Sequence, residues 1–206
     1  LHNLSYVEDP TRAFRAVRFA ERFGFKLSRH TENLIKSAIQ MDLFERLSGS
    51  RLFDELRLAF EETNPVRTLK RLSSYGLLKV IHKDLLFEEK LEATLSSMYE
   101  TLAWYDLLYL DEKVDKGTLY LAALLSNLDA AQRTAALARL DPPQKTKEII
   151  LRSMTESADV LAKLPLRDPA GVYHLLADKS LELILFSMAL TNDTRKKKQI
   201  SQFLVG

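Results

Sequence analysis

Residues 8–24 read E-D-P-T-R-A-F-R-A-V-R-F-A-E-R-F-G, and this stretch decides the class of fold. Asp9-Pro10 is a helix opening. An aspartate can accept hydrogen bonds from unpaired N–H groups, and proline suits the first helical position because its missing N–H is not needed there. Gly24 supplies the stop. On a wheel of about 100° per residue, Ala13, Phe14, Ala16, Val17 and Ala20 cover one side, while Arg12, Arg15, Arg18 and Arg22 share the other. The pattern predicts an amphipathic helix from 9 to about 23 whose small-and-aromatic stripe packs against a body.

The same punctuation repeats outward along the chain. Thr31 is placed to cap a second helix to about Gln40. Ser48 or Ser50 opens a third through Leu52, Leu56 and Phe60. Asn64-Pro65 opens a fourth, which Gly76 closes. Beyond Leu77 the expected helices run over 84–109, 117–128, 130–140, 144–164 and 170–177, with a final pair filling 179–206. Asp168-Pro169 repeats the cap-plus-proline signal. Alternating strand patterns are nearly missing, so the predicted fold is all-α, multi-helix, with no significant sheet. A change near 76–84 separates a basic block from an acidic-leaning one and predicts two domains, 1–80 and 81–206. Residues 1–80 hold 14 Lys and Arg against 10 Asp and Glu; the remainder hold 16 against 18.

Composition bounds the rest. At 206 residues, with 46% hydrophobic and 28% charged side chains, the chain can bury a substantial core. Without cysteine it has no disulfide framework, thiol nucleophile or Cys-ligated metal, which fits a reducing compartment and an expected cytoplasmic location. The longest apolar run, 181–190, is too short to span a bilayer and carries Glu182, so it reads as a buried helix and no membrane partner is expected. Glu8, Asp9 and Arg12 rule the opening out as a signal peptide, and the start at Leu1 without Met suggests a piece of a longer product. His2, His30, His82 and His174 are too scattered for a His-based metal site. Tyr99, Trp104, Tyr105 and Tyr109 read as core packing before base stacking, and Arg195-Lys196-Lys197-Lys198 reads as a solvated run before an RNA contact.

The arginine face admits two readings. Most charged helix faces are simply solvated, here salted with pairs such as Glu8 with Arg12, or Glu21 with Arg18 or Arg22. Guanidinium groups are also planar, permanently charged and rich in donors, which suits phosphates and planar bases. A resemblance weights the second. LHNLSYVEDPTRAFRAVRFAERFGF (1–25) resembles the stretch after the catalytic head of bacterial class II tRNA nucleotidyltransferases. That family takes in CCA-, CC- and A-adding enzymes and bacterial poly(A) polymerases. Glu8-Asp9-Pro10-Thr11-Arg12 matches its E-D-x-x-R nucleotide-selecting motif, followed by Arg15, Arg18 and Phe19 in an R-x-x-R-F run. LSGSRLFDEL (47–56) resembles the next motif: Arg51 and Glu55 match, while Ser50 stands where the family commonly has Glu. NPVRTLKRLSSYGLL (64–78) also fits, and the likeness is generic after about residue 82.

The logic of the first motif is physical. Adenine and cytosine both present an amino donor beside a ring-nitrogen acceptor. A carboxylate only accepts and a guanidinium only donates, so Asp9 and Arg12 can meet that edge side by side, while guanine and uracil invert the order. If Asp9 also serves the helix start, one carboxylate oxygen is spent on backbone N–H groups and the other stays free. The resemblance implies a nucleotide-binding set of Glu8, Asp9, Arg12, Arg15 and Arg18, with Glu8 orienting Arg12, and Phe19, Arg51 and Glu55 supporting it. It further implies ATP and/or CTP as substrates, the tRNA acceptor end as partner, and a head domain of the same polypeptide whose carboxylates hold Mg²⁺. No catalytic or metal residue is expected in this chain, which should be inert alone. A poly(A) polymerase fragment and a non-catalytic helical RNA-binding scaffold remain the alternative readings.

Overall fold

The computed structural model describes residues 5–206; His2 and the other residues before Ser5, with their part of the resemblance, lie outside the described residues. Among the described residues there are twelve α-helices, two short 3₁₀ turns and no strand, as the sequence predicted. The helices are α1 (Ser5–Glu8), α2 (Arg12–Arg22), α3 (Arg29–Gln40), α4 (Gly49–Phe60), α5 (Pro65–Ser74) and α6 (Glu89–Asp106). They continue with α7 (Lys116–Leu124), α8 (Ala130–Leu140), α9 (Gln144–Lys163), α10 (Pro169–Leu176), α11 (Leu181–Leu190) and α12 (Thr194–Val205). The 3₁₀ turns are Leu43–Arg46 and Leu77–Val80.

Side-chain caps set most of these starts. Ser48 accepts from the Arg51 N–H, Asn64 from that of Arg67, and Asp168 from those of Ala170 and Gly171. Asp129 and Gln132 close a reciprocal capping box at α8. Two starts differ from expectation. Ser28, not Thr31, caps α3, because its extended backbone aims the hydroxyl at the Thr31 N–H. The first helix begins at Arg12 behind Thr11, since Asp9 and Pro10 form a tighter turn in which the N–H groups of Arg12 and Ala13 reach the carbonyls three residues back. The stretch expected to be one helix over 84–109 is helical only over 89–106, and Tyr109 takes a left-handed φ of 51° where the chain leaves it.

The chain divides into two compact units. One comprises Leu1–Glu92 and Asn127–Pro143; the other comprises Ala93–Ser126 and Gln144–Gly206. The break therefore falls inside α6, and α8 returns to the first unit. In the first unit α2 packs on α4 and α5, and α4 packs on α8. Phe14, Val17, Leu52, Leu56, Leu69 and Leu72 are wholly buried, and Phe14 meets Phe44 edge-on at 6.0 Å. The stripe read from the sequence is the face α2 buries, with Ala16 at its half-exposed margin. Arg139 on α8 donates to the carbonyls of Phe44 and Leu47, and Gly49 lets α4 begin against the end of α8.

Two ionic clusters fix the rotation of α2. Glu62, 7% exposed in the α4–α5 loop, accepts from Arg18 at 3.0 Å and from Arg22 through both its oxygens at 2.8 Å. Glu21 takes Arg67 and Arg71 of α5, each at 3.0 Å. The pairs expected between Glu21 and Arg18 or Arg22 are therefore replaced by partners distant in sequence. Burial alone would raise the Glu62 carboxyl, but the hydrogen bonds from Arg22 and Arg18 outweigh it and hold the group below the usual glutamate range.

In the second unit α11 is enclosed on nearly every side, packing on α9, α7 and α12, as its apolar run predicted. Its core joins Val160, Leu164, Val172, Leu176, Leu183, Ile184, Met188 and Ile200, with Trp104 against it. Tyr105 is buried and donates to the Glu112 carbonyl, whereas Tyr109 is exposed. In the basic run, Lys196 donates to the Leu161 carbonyl and Lys197 to the Ser97 hydroxyl, so only its ends, Arg195 and Lys198, are exposed, with Arg195 paired to Asp193. No helix among the described residues is long and apolar enough to cross a membrane.

Two stability outcomes follow. A Cβ on Gly49 would stand 2.6 Å from the Arg139 carbonyl oxygen and 2.9 Å from the Leu140 carbonyl carbon, both backbone. Gly49→Ala is thus expected to destabilise by about 1–3 kcal/mol in urea unfolding; an unchanged midpoint would mean that α4 and α8 part freely. Glu62→Gln is expected to cost about 3 kcal/mol at pH 7, the low end for breaking a buried pair because Arg22 remains half in water. Since the folded Glu62 titrates below the unfolded one, its contribution is complete above about pH 4.3 and is lost as pH falls through the lower folded value. Wild type and Glu62→Gln should accordingly converge in acid-unfolding curves only below the lowered folded value of Glu62. Parallel curves would assign that acid sensitivity elsewhere.

Candidate functional site

The residues singled out in the sequence gather where α1 ends, α2 begins and α4 passes beneath. Asp9 is the centre. Its Oδ1 accepts three hydrogen bonds: from the Thr11 N–H at 3.2 Å, the Thr11 hydroxyl at 2.7 Å and Arg51 Nη2 at 2.8 Å. All three fall on one oxygen, leaving Oδ2 available. Burial pushes the carboxyl up, but the Thr11 hydroxyl, the Arg51 guanidinium and the Thr11 N–H outweigh it and hold it below the ordinary aspartate range. Asp9 is thus an ionised acceptor with a fixed orientation.

Arg12 opens α2 one turn further on, exposed and with no hydrogen bond or ion pair to any described residue. It lies beside Tyr6, whose ring is buried: burial raises the phenol's pKa and the charge of Arg12 draws it down. Arg15 is likewise exposed and unpaired among the described residues. Glu8 is exposed at the end of α1, and no hydrogen bond or ion pair joins it to Arg12. Arg18 points elsewhere. It is buried on Glu62, with its Nε unpaired and its guanidinium carbon 4.7 Å from the Phe19 ring centroid. The arginine face is therefore split: its first two members are free, and its last two are tied to Glu62.

From α4 come Arg51, bound to Asp9, and Glu55, half-buried with an Oε2 that meets no donor. Burial raises the Glu55 carboxyl; Arg18 and Arg15 pull it down, Asp9 pushes it up, and Arg51 pulls it down, with burial prevailing. Two carboxylates in one field of arginines are thus driven in opposite directions. Among the described residues, no three His, Cys, Asp or Glu side chains gather in a way that could hold a metal ion.

Two residues here were not picked out from the sequence. Thr11 clamps Asp9 through both its N–H and its hydroxyl; a threonine two places after an aspartate is a turn signal that could have found it. Glu62, 44 residues from Arg18 and 40 from Arg22, had no local signal. What the site offers chemically is a carboxylate oxygen of Asp9 that can accept and, one helical turn along the sequence, an Arg12 guanidinium that can donate, neither bonded to another described residue.

Known proteins resemble this chain along its length. Residues 24–88 match a family model described as the probable RNA and SrmB-binding site of polymerase A. The chain is 38% identical over 211 residues to an A-adding tRNA nucleotidyltransferase of Geobacter sulfurreducens, a match covering 99% of this chain and 24% of that protein. A solved tRNA-processing enzyme with CTP superposes at a TM-score of 0.84 with 31% identity, over 99% of this chain and 56% of that one. The Thermotoga maritima CCA-adding enzyme complexed with tRNA superposes at 0.81 with 26% identity, over 100% of this chain and 50% of that one. The chain thus spans about a quarter of the first relative and about half of the two solved chains. Along its whole length the chain is similar to part of bacterial A-adding and CCA-adding tRNA nucleotidyltransferases.

Proposed function

We propose that this chain is the nucleotide-selecting and tRNA-binding part of a template-independent tRNA nucleotidyltransferase that adds A, C or both to tRNA 3′ ends. The observation that carries the reading is the state of Asp9: one oxygen clamped by Thr11 and Arg51, the other without a partner among the described residues, with exposed Arg12 following one turn along the sequence. An acceptor fixed before the nucleotide arrives can reject guanine and uracil, because a carbonyl set against a carboxylate leaves two buried acceptors without a proton between them. Arg15, exposed on the same helix face, is suited to phosphate oxygens. Arg18, Phe19 and Glu55 act behind these groups by holding α2 in place. Residues 1–80 serve as the neck that carries the motif, and 81–206 as the body that docks acceptor-stem RNA. The name of the Geobacter relative supports adenosine addition, and the CTP bound to the solved neighbour supports a pocket that also suits cytosine.

Nucleotidyl transfer in this family implies Mg²⁺ held by paired carboxylates. On this reading the metal belongs to the catalytic domain of the parent polypeptide, and this chain's residues contribute selection and positioning. A cytoplasmic location of the parent goes with this reading, supported by tRNA and ATP or CTP as its substrates. A poly(A) polymerase parent is the second reading, favoured by the description of the family model matched at 24–88.

The parent enzyme, wild type and Asp9→Ala, decides between them on tRNAs ending before CCA, at C and at CC, each nucleotide supplied singly. Wild type is expected to add A or C, and Asp9→Ala to lose about 10- to 100-fold of its preference for ATP over GTP, the worth of one hydrogen bond to a charged group. Arg51→Ala should lose less, because Thr11 still holds Asp9. Undiminished fidelity in Asp9→Ala would sink the selecting role. A wild-type parent that extends an oligoadenylate but none of the three tRNAs would move the assignment to polyadenylation.

A further inference from the structure

A cleft of about 360 Å³ opens in the first unit between its two 3₁₀ turns. The turn Leu43–Arg46 and the residue before it bring Glu45 and Asp42. The turn Leu77–Val80 and the residues after it bring Lys79, His82 and Lys83, and α8 brings Arg139. None of the site residues described above lines this cleft. Five of these six side chains carry charges of both signs, yet no ion pair joins any of them to a described residue. Opposite charges that share a cleft and leave one another open suit a ligand that itself carries an anion beside a hydrogen-bond donor.

The local fold does not call for this arrangement. Asp42 takes a left-handed φ of 51° where the chain turns out of α3, and glycine or asparagine would serve that turn without a charge. Arg139 donates to the Leu47 and Phe44 carbonyls at 3.2 and 2.6 Å, which fixes its position and leaves its positive charge uncompensated. With Lys79 and Lys83 the cations number three against two carboxylates, so the cleft favours an anion. His82 adds a directed donor. Its Nδ1 accepts from the Asp84 N–H at 3.2 Å, so the ring N–H is at Nε2, which meets no acceptor among the described residues.

A free phosphate would use the cations and face Asp42 and Glu45 as repelling neighbours. A DNA strand would do the same. The sugar–phosphate backbone of RNA satisfies both sets, because each phosphate has a 2′-hydroxyl close by, and A-form helices display those hydroxyls along a wide, shallow minor groove. We infer that this cleft holds the backbone of the tRNA acceptor arm, with Lys79, Lys83 and His82 on phosphate and Asp42 and Glu45 accepting from 2′-hydroxyls. The inference rests on the tRNA-binding reading given above and adds to it a contact that tells RNA from DNA.

The test uses the parent enzyme without nucleotide and a hairpin copy of a tRNA acceptor arm. The hairpin is made once with ribose and once with 2′-fluoro sugars, which keep the A-form duplex and remove the donor. Dissociation constants are measured by fluorescence anisotropy across a salt series. Wild type should bind the ribose hairpin about tenfold more tightly than the fluoro one, the worth of a hydrogen bond to a charged group. Asp42→Gly with Glu45→Ala should bring that ratio toward one, chiefly by weakening the ribose hairpin. Lys79→Met with Lys83→Met should weaken both hairpins alike and reduce the slope of log Kd against log salt by about 1 to 2. A carboxylate variant that binds both hairpins more tightly at an unchanged ratio would overturn the proposal, since Asp42 and Glu45 would then only repel phosphate. A lysine variant with the wild-type salt slope would overturn it too. If wild type binds the ribose hairpin and neither variant differs from it, the cleft alone falls. If wild type binds neither hairpin, the tRNA-binding reading falls and takes the cleft with it.

Discussion

A buried carboxylate that must be answered governs the first unit. Glu62 sits in the turn between α4 and α5 with almost no access to water, and such a charge is tolerated only when paired. Its partners, Arg18 and Arg22, lie one turn apart on α2, so satisfying Glu62 fixes both the rotation and the axial position of that helix. Everything the site presents is downstream of that choice. With Arg18 and Arg22 turned inward, Arg12 and Arg15 are turned outward, and Asp9 comes within reach of Arg51 on α4. Glu21 repeats the device toward α5. The apolar stripe of Ala13, Phe14, Val17 and Ala20 supplies the adhesion, and the ion pairs supply the register.

The helices were legible because their signals are local. Asn64-Pro65, Asp168-Pro169 and Gly76 act within a few residues of themselves, and the structure places their caps and the left-handed stop as read. Where two adjacent residues competed for one role, pattern alone chose poorly. Ser28 rather than Thr31 caps α3, and Thr11 rather than Asp9 occupies the position before α2, because backbone angles decide which hydroxyl or carboxylate can turn inward. The wheel showed four arginines on one face and could not show that two of them are spoken for. Their carboxylate comes from a turn some forty residues away, and periodicity carries no information about it. Asp9, Arg51 and Glu55 were within reach of sequence reasoning through motif resemblance, and Thr11 through its turn signal; Glu62 needed coordinates.

The contrast between Asp9 and Glu55 shows how one cluster of arginines produces two kinds of carboxylate. Asp9 receives three donors on a single oxygen and is held ionised. Glu55 stands among the charges of Arg18, Arg15 and Arg51, but no donor reaches its buried Oε2, and desolvation wins. Proximity of positive charge is thus a weaker lever here than a directed N–H or O–H.

The return of α8 to the first unit has a bearing on how the chain is made. Arg139 closes on the carbonyls of Phe44 and Leu47, and the backbone of Arg139 and Leu140 forms the floor beneath Gly49. A nascent chain leaving the ribosome displays α2, α4 and α5 early, yet the surface of α4 that α8 covers stays bare until residues 127–143 emerge. Between those events the 34 residues of the other unit, 93–126, pass through the exit first. The motif-bearing part is completed only after a piece of its neighbour has been synthesised, so the order of translation differs from the order of assembly, and for that interval the exposed side of α4 is a natural client for a holding chaperone.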